Sequence, residues 1–284
     1  MSRALLFLSL LAALVSSARG QITVDLVMDQ EQFLRDESLP VKLQISNRSG
    51  QKLVLGKEPE WVTFTVENLD GSMVSRLSDV VLEGELALDS AMVGARTIDL
   101  LPFFDVTKPG RYAVTATVRV AGWDREFSSK RKTFDIARGA KIWEQEFGVP
   151  GEGAPEVRKY ALQQANYMKR LMLYVRVTDA SENHVLRVFP LGPLVSFSRP
   201  EAQIDKASNL HVLFQSGARS FLYHVISPGG RVAERQTYEY TASRPVLKGS
   251  DDGKIFVSGG AHKASELSEI PAEPSTNSVR VSKH

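Results

Sequence analysis

The feature that most constrains the fold of this chain is a phrase that occurs twice in its second half. Ser-Arg-Pro opens both copies, SRPEAQIDKASNLHVLFQ from Ser198 and SRPVLKGSDDGKIFVSGG from Ser243, so the copies begin 45 residues apart. In each copy a short apolar run follows the proline, and a polar turn separates it from a second apolar run. Self-similarity at this spacing predicts an all-β repeat in which each copy contributes one small group of strands.

The repeat extends upstream of the two triplets. Leu173-Tyr174 in RLMLYVRVTD corresponds to Leu222-Tyr223 in SFLYHVISPG, and a polar turn and another strand follow each pair. This order of features resembles the opening strands of blades in secreted β-propellers: a proline, an apolar run, a turn and a second apolar run. That resemblance covers roughly 100 residues and implies about two and a half blades, whereas a closed propeller usually needs at least four.

Three arrangements of the second half therefore remain open. We favour an open stack or meander of blade-like sheets. Copies from separate chains of a homo-oligomer would instead complete a ring, and a degenerate remnant would cover its edges with the linker and the tail. An open stack exposes strand edges, which natural proteins cover or charge, and such an edge is a candidate partner surface.

In the first half, apolar residues recur mainly at every second position. Apolar and polar residues alternate in ITVDLVMD, LPVKLQISN, WVTFTVEN and RYAVTATVRV, and turn-forming segments such as Asn47–Gly50, Asp70-Gly71 and Lys108–Gly110 separate these stretches. Strict alternation predicts half-buried antiparallel strands. Several short strands with such turns predict a β-sandwich.

Three phrases of the first half resemble bacterial immunoglobulin-like or macroglobulin-like sandwiches: LPVKLQISNRSGQKLVL, FTVENLDGSMV and FDVTKPGRYAVTATV. The resemblance implies a fold and no fixed function. The predicted fold class is all-β, and the predicted organisation is a signal peptide (1–20), an immunoglobulin-like sandwich (21–138), a partial propeller-like repeat domain (139–262) and a disordered tail (263–284). Gly148–Pro155 is predicted to be a linker or long turn.

Residues 1–20 have the pattern of a secretory signal peptide: Arg3, a short apolar run, and small residues before Gln21. We expect a secreted or periplasmic protein of a bacterial envelope, with an uncleaved N-terminal anchor as the alternative and no further membrane span. The chain contains no cysteine, which excludes disulfides. Its 35 basic and 33 acidic residues give a net charge of +2. Arg3 and Arg19 account for that excess, so no nucleic-acid partner is indicated.

No motif of a catalytic site is recognisable. The sequence lacks a G-x-S-x-G elbow, an S-x-x-K pair, a cysteine nucleophile and a phosphate-binding glycine loop after a strand. We therefore predict a non-enzymatic binding or scaffold protein of the envelope, without cofactor, whose partner is an unknown protein or glycan. The alternatives are a carbohydrate-active or peptidase-type accessory enzyme with a cryptic interdomain site, and a protease inhibitor.

Five residues are candidates for binding: Arg199, Arg244, His211, His224 and Trp143. The arginines recur with the repeat, and a pair of guanidinium groups can clamp a carboxylate or sulfate, although a repeated residue more often serves the repeat itself. The histidines are expected on neighbouring strands, where with Asp205 they have the composition of a metal site; ordinary strand histidines are favoured, and no metal is predicted. Trp143 is expected at the domain junction.

The acidic stretch Leu77–Gly94 is less regular than the rest of the first half. Calcium loops need closely spaced oxygen ligands around a tight turn, and that spacing is absent here. A solvated strand or loop is therefore predicted.

Overall fold

The computed structural model describes residues 22–149, 156–263 and 280–283. This part of the chain is all-β, as the sequence predicted, with two 3-10 turns at Leu101–Phe103 and Ala121–Trp123. The predicted signal peptide and residues 150–155 of the predicted linker lie outside the described residues. Among the described residues, no helix is long and apolar enough to cross a membrane.

The first unit contains ten strands: β1 (Ile22–Val27), β2 (Gln32–Leu34), β3 (Pro40–Asn47), β4 (Leu53–Leu55), β5 (Val62–Asn68), β6 (Leu86–Leu88), β7 (Met92–Asp99), β8 (Gly110–Val120), β9 (Arg125–Ser128) and β10 (Lys132–Ala137). One sheet has the order β1-β3-β7. The other has the order β2-β10-β8-β5, with β9 beside β8. Their inward-facing side chains form one apolar core that includes Leu43, Phe64 and Val114, so the two sheets make a sandwich.

The alternation read from the sequence is present in the strands. In β5, Val62, Phe64 and Val66 are buried while Thr63 and Thr65 are exposed. The strand is therefore half-buried because its side chains point alternately to the core and to solvent.

The stretch predicted to be solvated is partly buried. Its acidic side chains are exposed as expected, but Val80 and Leu82 belong to the core, and β6 pairs with β4. Trp61 is also buried, although the alternation placed it on the polar face, and its Nε1 donates to the Leu82 carbonyl at 3.5 Å. Long-range packing overrides the local pattern here.

The second unit contains eleven strands: β11 (Ala140–Val149), β12 (Glu156–Tyr167), β13 (Arg170–Asp179), β14 (Val185–Pro193), β15 (Glu201–Ile204), β16 (Leu210–Gln215), β17 (Ser220–Ile226), β18 (Val232–Glu239), β19 (Val246–Gly249), β20 (Ile255–Ser258) and β21 (Ala261–Lys263). The junction sheet has the order β11-β12-β13-β14. The middle sheet has the order β15-β16-β17-β18-β21, and β19 and β20 form an outer hairpin.

These three layers stack face to face. One apolar cluster, which includes Leu162, Val175 and Phe214, fills the space between the junction and middle sheets. Another, which includes Tyr223 and Leu247, joins the middle sheet to the outer hairpin. The result is the open, blade-like arrangement that the repeat predicted.

The two Ser-Arg-Pro phrases lie one above the other in this stack. Nη2 of Arg244 lies 3.5 Å from Oγ of Ser198, and Oε2 of Glu201 accepts from the backbone N–H of Leu247 at 2.7 Å. Further along, Nζ of Lys206 donates to the Asp252 carbonyl at 2.9 Å. Each contact joins positions 46 apart, one more than the repeat, so stacking brings nearly equivalent positions together.

The predicted disordered tail falls mostly outside the described residues. Its described part differs from the prediction, because Arg280–Lys283 forms a strand, β22, antiparallel to β7. Backbone pairing to the open edge of β7 explains how a segment poor in apolar residues acquires regular structure.

Candidate interdomain binding groove

The two repeated arginines have different surroundings. The guanidinium of Arg244 lies 5.3 Å from the centre of the Phe221 ring and contacts Ser198. Arg199 is exposed and makes no ion pair within the described residues. A cation over an aromatic ring stabilises packing, so the contacts of Arg244 join the second Ser-Arg-Pro phrase to Phe221 and to Ser198 of the first.

The two central histidines lie on opposite faces of the middle sheet. The register pairs His211 with Val225 and His224 with Val212, so the side chains point away from each other. They therefore do not form a shared metal site. Among the described residues, no group of three His, Cys, Asp or Glu side chains could hold a metal ion.

His211 belongs to a buried polar network. Its Nδ1 lies 2.7 Å from Oη of Tyr223, and its Nε2 lies 3.1 Å from Oδ2 of Asp205. Burial opposes ionisation of Asp205, but hydrogen bonds from Asn209 and His211 outweigh it and lower the pKa of that carboxyl. Asp205 also accepts from the backbone of the turn at Ala207, so the network fixes the β15–β16 turn.

His224 is fully buried, and neither ring nitrogen has a hydrogen-bond partner. It stacks on Phe214, with ring centres 5.8 Å apart. Burial, with a smaller contribution from the charge of Arg235, lowers the pKa of His224 to about 3. The imidazole is therefore neutral and behaves as a core ring.

The sequence suggested that Trp143 lies at the domain junction, and the structure places it elsewhere. It is half-buried and packs on the apolar cluster between the junction and middle sheets. Its place is therefore inside the second unit.

The structure instead forms a groove between the two units. The groove has a volume of about 290 Å³, and three arginines line it: Arg35, Arg138 and Arg176. Gln163, Thr107 and Glu182 complete its polar wall. These residues come from distant parts of the chain, and the contact between the units brings them together.

The contacts that hold the units together beside this groove include an apolar cluster and an ion pair. Leu34 is buried with Ala165, Tyr174 and Val188 of the junction sheet. Beside this cluster, Oδ2 of Asp36 lies 2.7 Å from Nη1 of Arg176, with both side chains largely buried. Asp36 has a φ of 65° in the turn after β2, a left-handed conformation that aspartate tolerates better than most residues.

The three arginines differ in how far their charge is already compensated. Arg176 pairs closely with Asp36, and Nε of Arg35 lies 3.5 Å from the same carboxylate oxygen. Arg138, just after β10, is exposed and makes no ion pair within the described residues. The groove therefore keeps an excess of positive charge and several N–H donors. A guanidinium fork matches a carboxylate or phosphate, which accepts two parallel hydrogen bonds.

Two further carboxyl groups have shifted pKa values: Glu37, which follows Asp36 in the chain, and Glu182, which lines the groove. Glu37 is buried and accepts from the Leu34 N–H at 2.7 Å and from Nε2 of Gln30 at 3.0 Å. Burial raises the pKa of Glu37 to about 7 despite these bonds. Glu182 is exposed, and a hydrogen bond from Lys159 lowers its pKa, so it stays ionised beside Lys159.

Sequence reasoning did not single out the three groove arginines. Arg35 lies in a charged turn and Arg138 lies where one unit ends, but neither belongs to a motif. The only available signal was the alternative of a cryptic interdomain site, which named no residues.

Comparison with known proteins identifies no relative. No family model, no curated protein and no solved structure matches this chain. The resemblances to immunoglobulin-like sandwiches and to propeller blades therefore rest on sequence pattern, and no homologue confirms them.

Proposed function

We propose that this chain is a non-enzymatic binding protein of the bacterial cell envelope that holds an anionic group of its partner in the interdomain groove. The observation that carries the proposal is the convergence of Arg35, Arg138 and Arg176 on one groove between the two β units. The leader-like pattern of residues 1–20 supports an envelope location.

The expected ligand is a chain that carries carboxylates, such as an acidic glycan or an acidic peptide segment. Arg138 supplies an uncompensated guanidinium, while Gln163 and Thr107 add neutral hydrogen-bonding groups. The groove is partly open to solvent, which suits a segment of a polymer better than an enclosed small molecule.

Binding to defined probes tests this function. We expect the protein to bind hexa-glutamate or a hexamer of galacturonic acid, and to bind hexa-glutamine or a neutral glucan hexamer much more weakly. Arg138→Gln should weaken acidic-probe binding about tenfold, because it removes a charge-assisted hydrogen bond. Fluorescence anisotropy at fixed ionic strength measures both.

Arg125→Gln is the matched control. It removes the same charge from an exposed arginine whose partner in the sheet, Val120, lies at the opposite end of β8 from the groove. An equal loss of acidic-probe binding in both variants would contradict binding in the groove. So would a failure of the unmodified protein to bind any acidic probe. Recovery of a cleaved probe would instead show an enzyme.

A further inference from the structure

Two large apolar side chains protrude from neighbouring turns of the second unit. Met168 lies at the tip of the β12–β13 hairpin and is 73% exposed, and Phe197 lies in the β14–β15 loop and is 85% exposed. Their sequence neighbours Lys169 and Ser196 line one groove of about 450 Å³. We call Met168, Lys169, Arg170, Phe197 and Arg199 the turn patch.

Backbone hydrogen bonds hold both turns in place. The N–H of Leu194 donates to the Leu171 carbonyl at 2.8 Å, and that of Val195 donates to the Gln215 carbonyl at 3.0 Å. Met168 lies in a two-residue turn closed by the pairing of Tyr167 with Arg170. Because the tips are already ordered, binding through them costs little further conformational entropy.

Met168 is an unfavourable residue for this turn. Its φ is 54°, in the left-handed region that favours glycine. Its side chain also exposes apolar surface that the fold does not use. A strained conformation at an exposed apolar tip points to a use outside the folded chain.

The apolar tips are flanked by positive charge. Lys169 and Arg170 follow Met168 and line the groove, and Arg199 is exposed two residues after Phe197. No carboxylate is among the residues that line this groove. Protruding apolar groups beside cations have the chemistry of proteins that bind the headgroup region of an anionic bilayer.

We infer that the turn patch docks the protein on an anionic lipid surface. A folded partner would need pockets shaped for both tips, whereas a lipid interface accepts protruding side chains of any shape. In this arrangement Phe197 and Met168 enter the headgroup region while the flanking cations contact lipid phosphates. This surface is separate from the interdomain groove, and either proposal stands if the other fails.

Co-sedimentation with vesicles tests the inference on the full chain, with the same N-terminus confirmed by mass spectrometry for all variants. We expect binding to vesicles that contain phosphatidylglycerol, weaker binding to pure phosphatidylcholine, and weakening by added salt. Phe197→Ser should reduce partitioning at least about tenfold. Lys169→Gln with Arg170→Gln should reduce it about thirtyfold, or about fivefold for each cation.

Two further variants distinguish lipid docking from nonspecific adsorption to vesicles and from misfolding. Met168→Gly should weaken vesicle binding while the melting temperature stays the same or rises, because glycine fits the left-handed turn. Met73→Ser changes a methionine that is 95% exposed on the first unit and should leave binding unchanged.

The inference is overturned if the unmodified protein does not bind the anionic vesicles, in which case a protein partner for the patch becomes the better explanation. It is equally overturned if Met73→Ser reduces binding as much as Met168→Gly. Loss of acidic-probe binding in the groove variants has no bearing on this result, because those variants leave the turn patch intact.

Discussion

At the scale of single residues, two buried ionisable groups give this protein opposite responses to pH. Folding holds the pKa of His224 at about 3, below its unfolded value of 6.5, because the ring is desolvated. Folding holds the pKa of Glu37 at about 7, above its unfolded value of 4.5, for the same reason. In both cases the neutral form is the one that the folded state accepts.

The signs of the two effects follow from linkage. Below pH 6.5 His224 becomes protonated in the unfolded chain but not in the folded chain. The free energy of unfolding therefore decreases as pH falls from 6.5 toward 3. Above pH 4.5 the unfolded chain ionises Glu37 while the folded chain does not, so stability is lost as pH rises toward 7. Between pH 4.5 and 6.5 these two dependences of the free energy of unfolding on pH have opposite signs and cancel. In that range each becomes measurable only as a difference between the unmodified protein and a variant.

We therefore predict opposite pH dependences for His224→Leu and Glu37→Gln. Relative to His224→Leu, the unmodified protein should lose up to about 1.4 kcal/mol per pH unit as pH falls from 6.5. Relative to Glu37→Gln, it should lose a similar amount as pH rises from 4.5 to 7. Urea unfolding across this range measures both. A pH-independent difference for either variant would contradict the buried, neutral state of that residue.

At the scale of elements, a buried arginine anchors the segment Val80–Leu88. Arg96 on β7 is 3% exposed. Its Nη1 donates to the Glu83 carbonyl at 2.6 Å, and its Nη2 lies 2.8 Å and 3.1 Å from the carbonyls of Gly84 and Glu85. Burial lowers the pKa of Arg96. The segment thus has a polar anchor beneath its exposed acidic side chains.

Arg96→Met should release this segment. Three backbone carbonyls lose their donor, and we expect the free energy of unfolding to fall by about 2–4 kcal/mol. Amide protection in β6 should fall more than protection in β3, as measured by native-state hydrogen exchange. Arg76→Met, which removes an exposed ion pair with Asp79 in the same region, should change stability by less than about 0.5 kcal/mol. Equal effects of the two substitutions would contradict the anchor.

Element-scale structure was predictable where the signal was local. Alternation located β3, β5 and β8 because a half-buried strand requires a period of two. The segment around Val80 was misjudged because its burial depends on Arg96 and Trp61, which contact it across the sandwich. No window of sequence around Val80 contains that information.

At the scale of the whole molecule, the relation between the two units depends on the contacts at their junction. It combines the apolar contact of Leu34 with Tyr174 and the pair of Asp36 with Arg176. Removing one partner of a largely buried pair leaves the other charge uncompensated, which costs more than the pair itself contributes. The junction therefore controls both the groove and the coupling of the two units.

We predict that Arg176→Met destabilises the protein by about 2 kcal/mol and separates calorimetric unfolding into two transitions. Adding Asp36→Asn should recover part of this loss, because the uncompensated carboxylate is gone. Arg111→Met, which removes an exposed contact with Asp135 at 3.9 Å, is the control and should preserve a single transition. Strict additivity of the two junction substitutions would contradict direct coupling.

The sequence by itself determined the all-β class, the sandwich in the first half and a repeat of strand groups in the second. These follow from alternation and from self-similarity, which are properties of neighbouring residues or of one fixed spacing. Only the tertiary structure decided that His211 and His224 face opposite ways, that Arg244 packs on Phe221, and that Arg35, Arg138 and Arg176 share a groove. The physical reason is that a groove arises where separate sheets meet, and sheet packing joins residues that no local period relates.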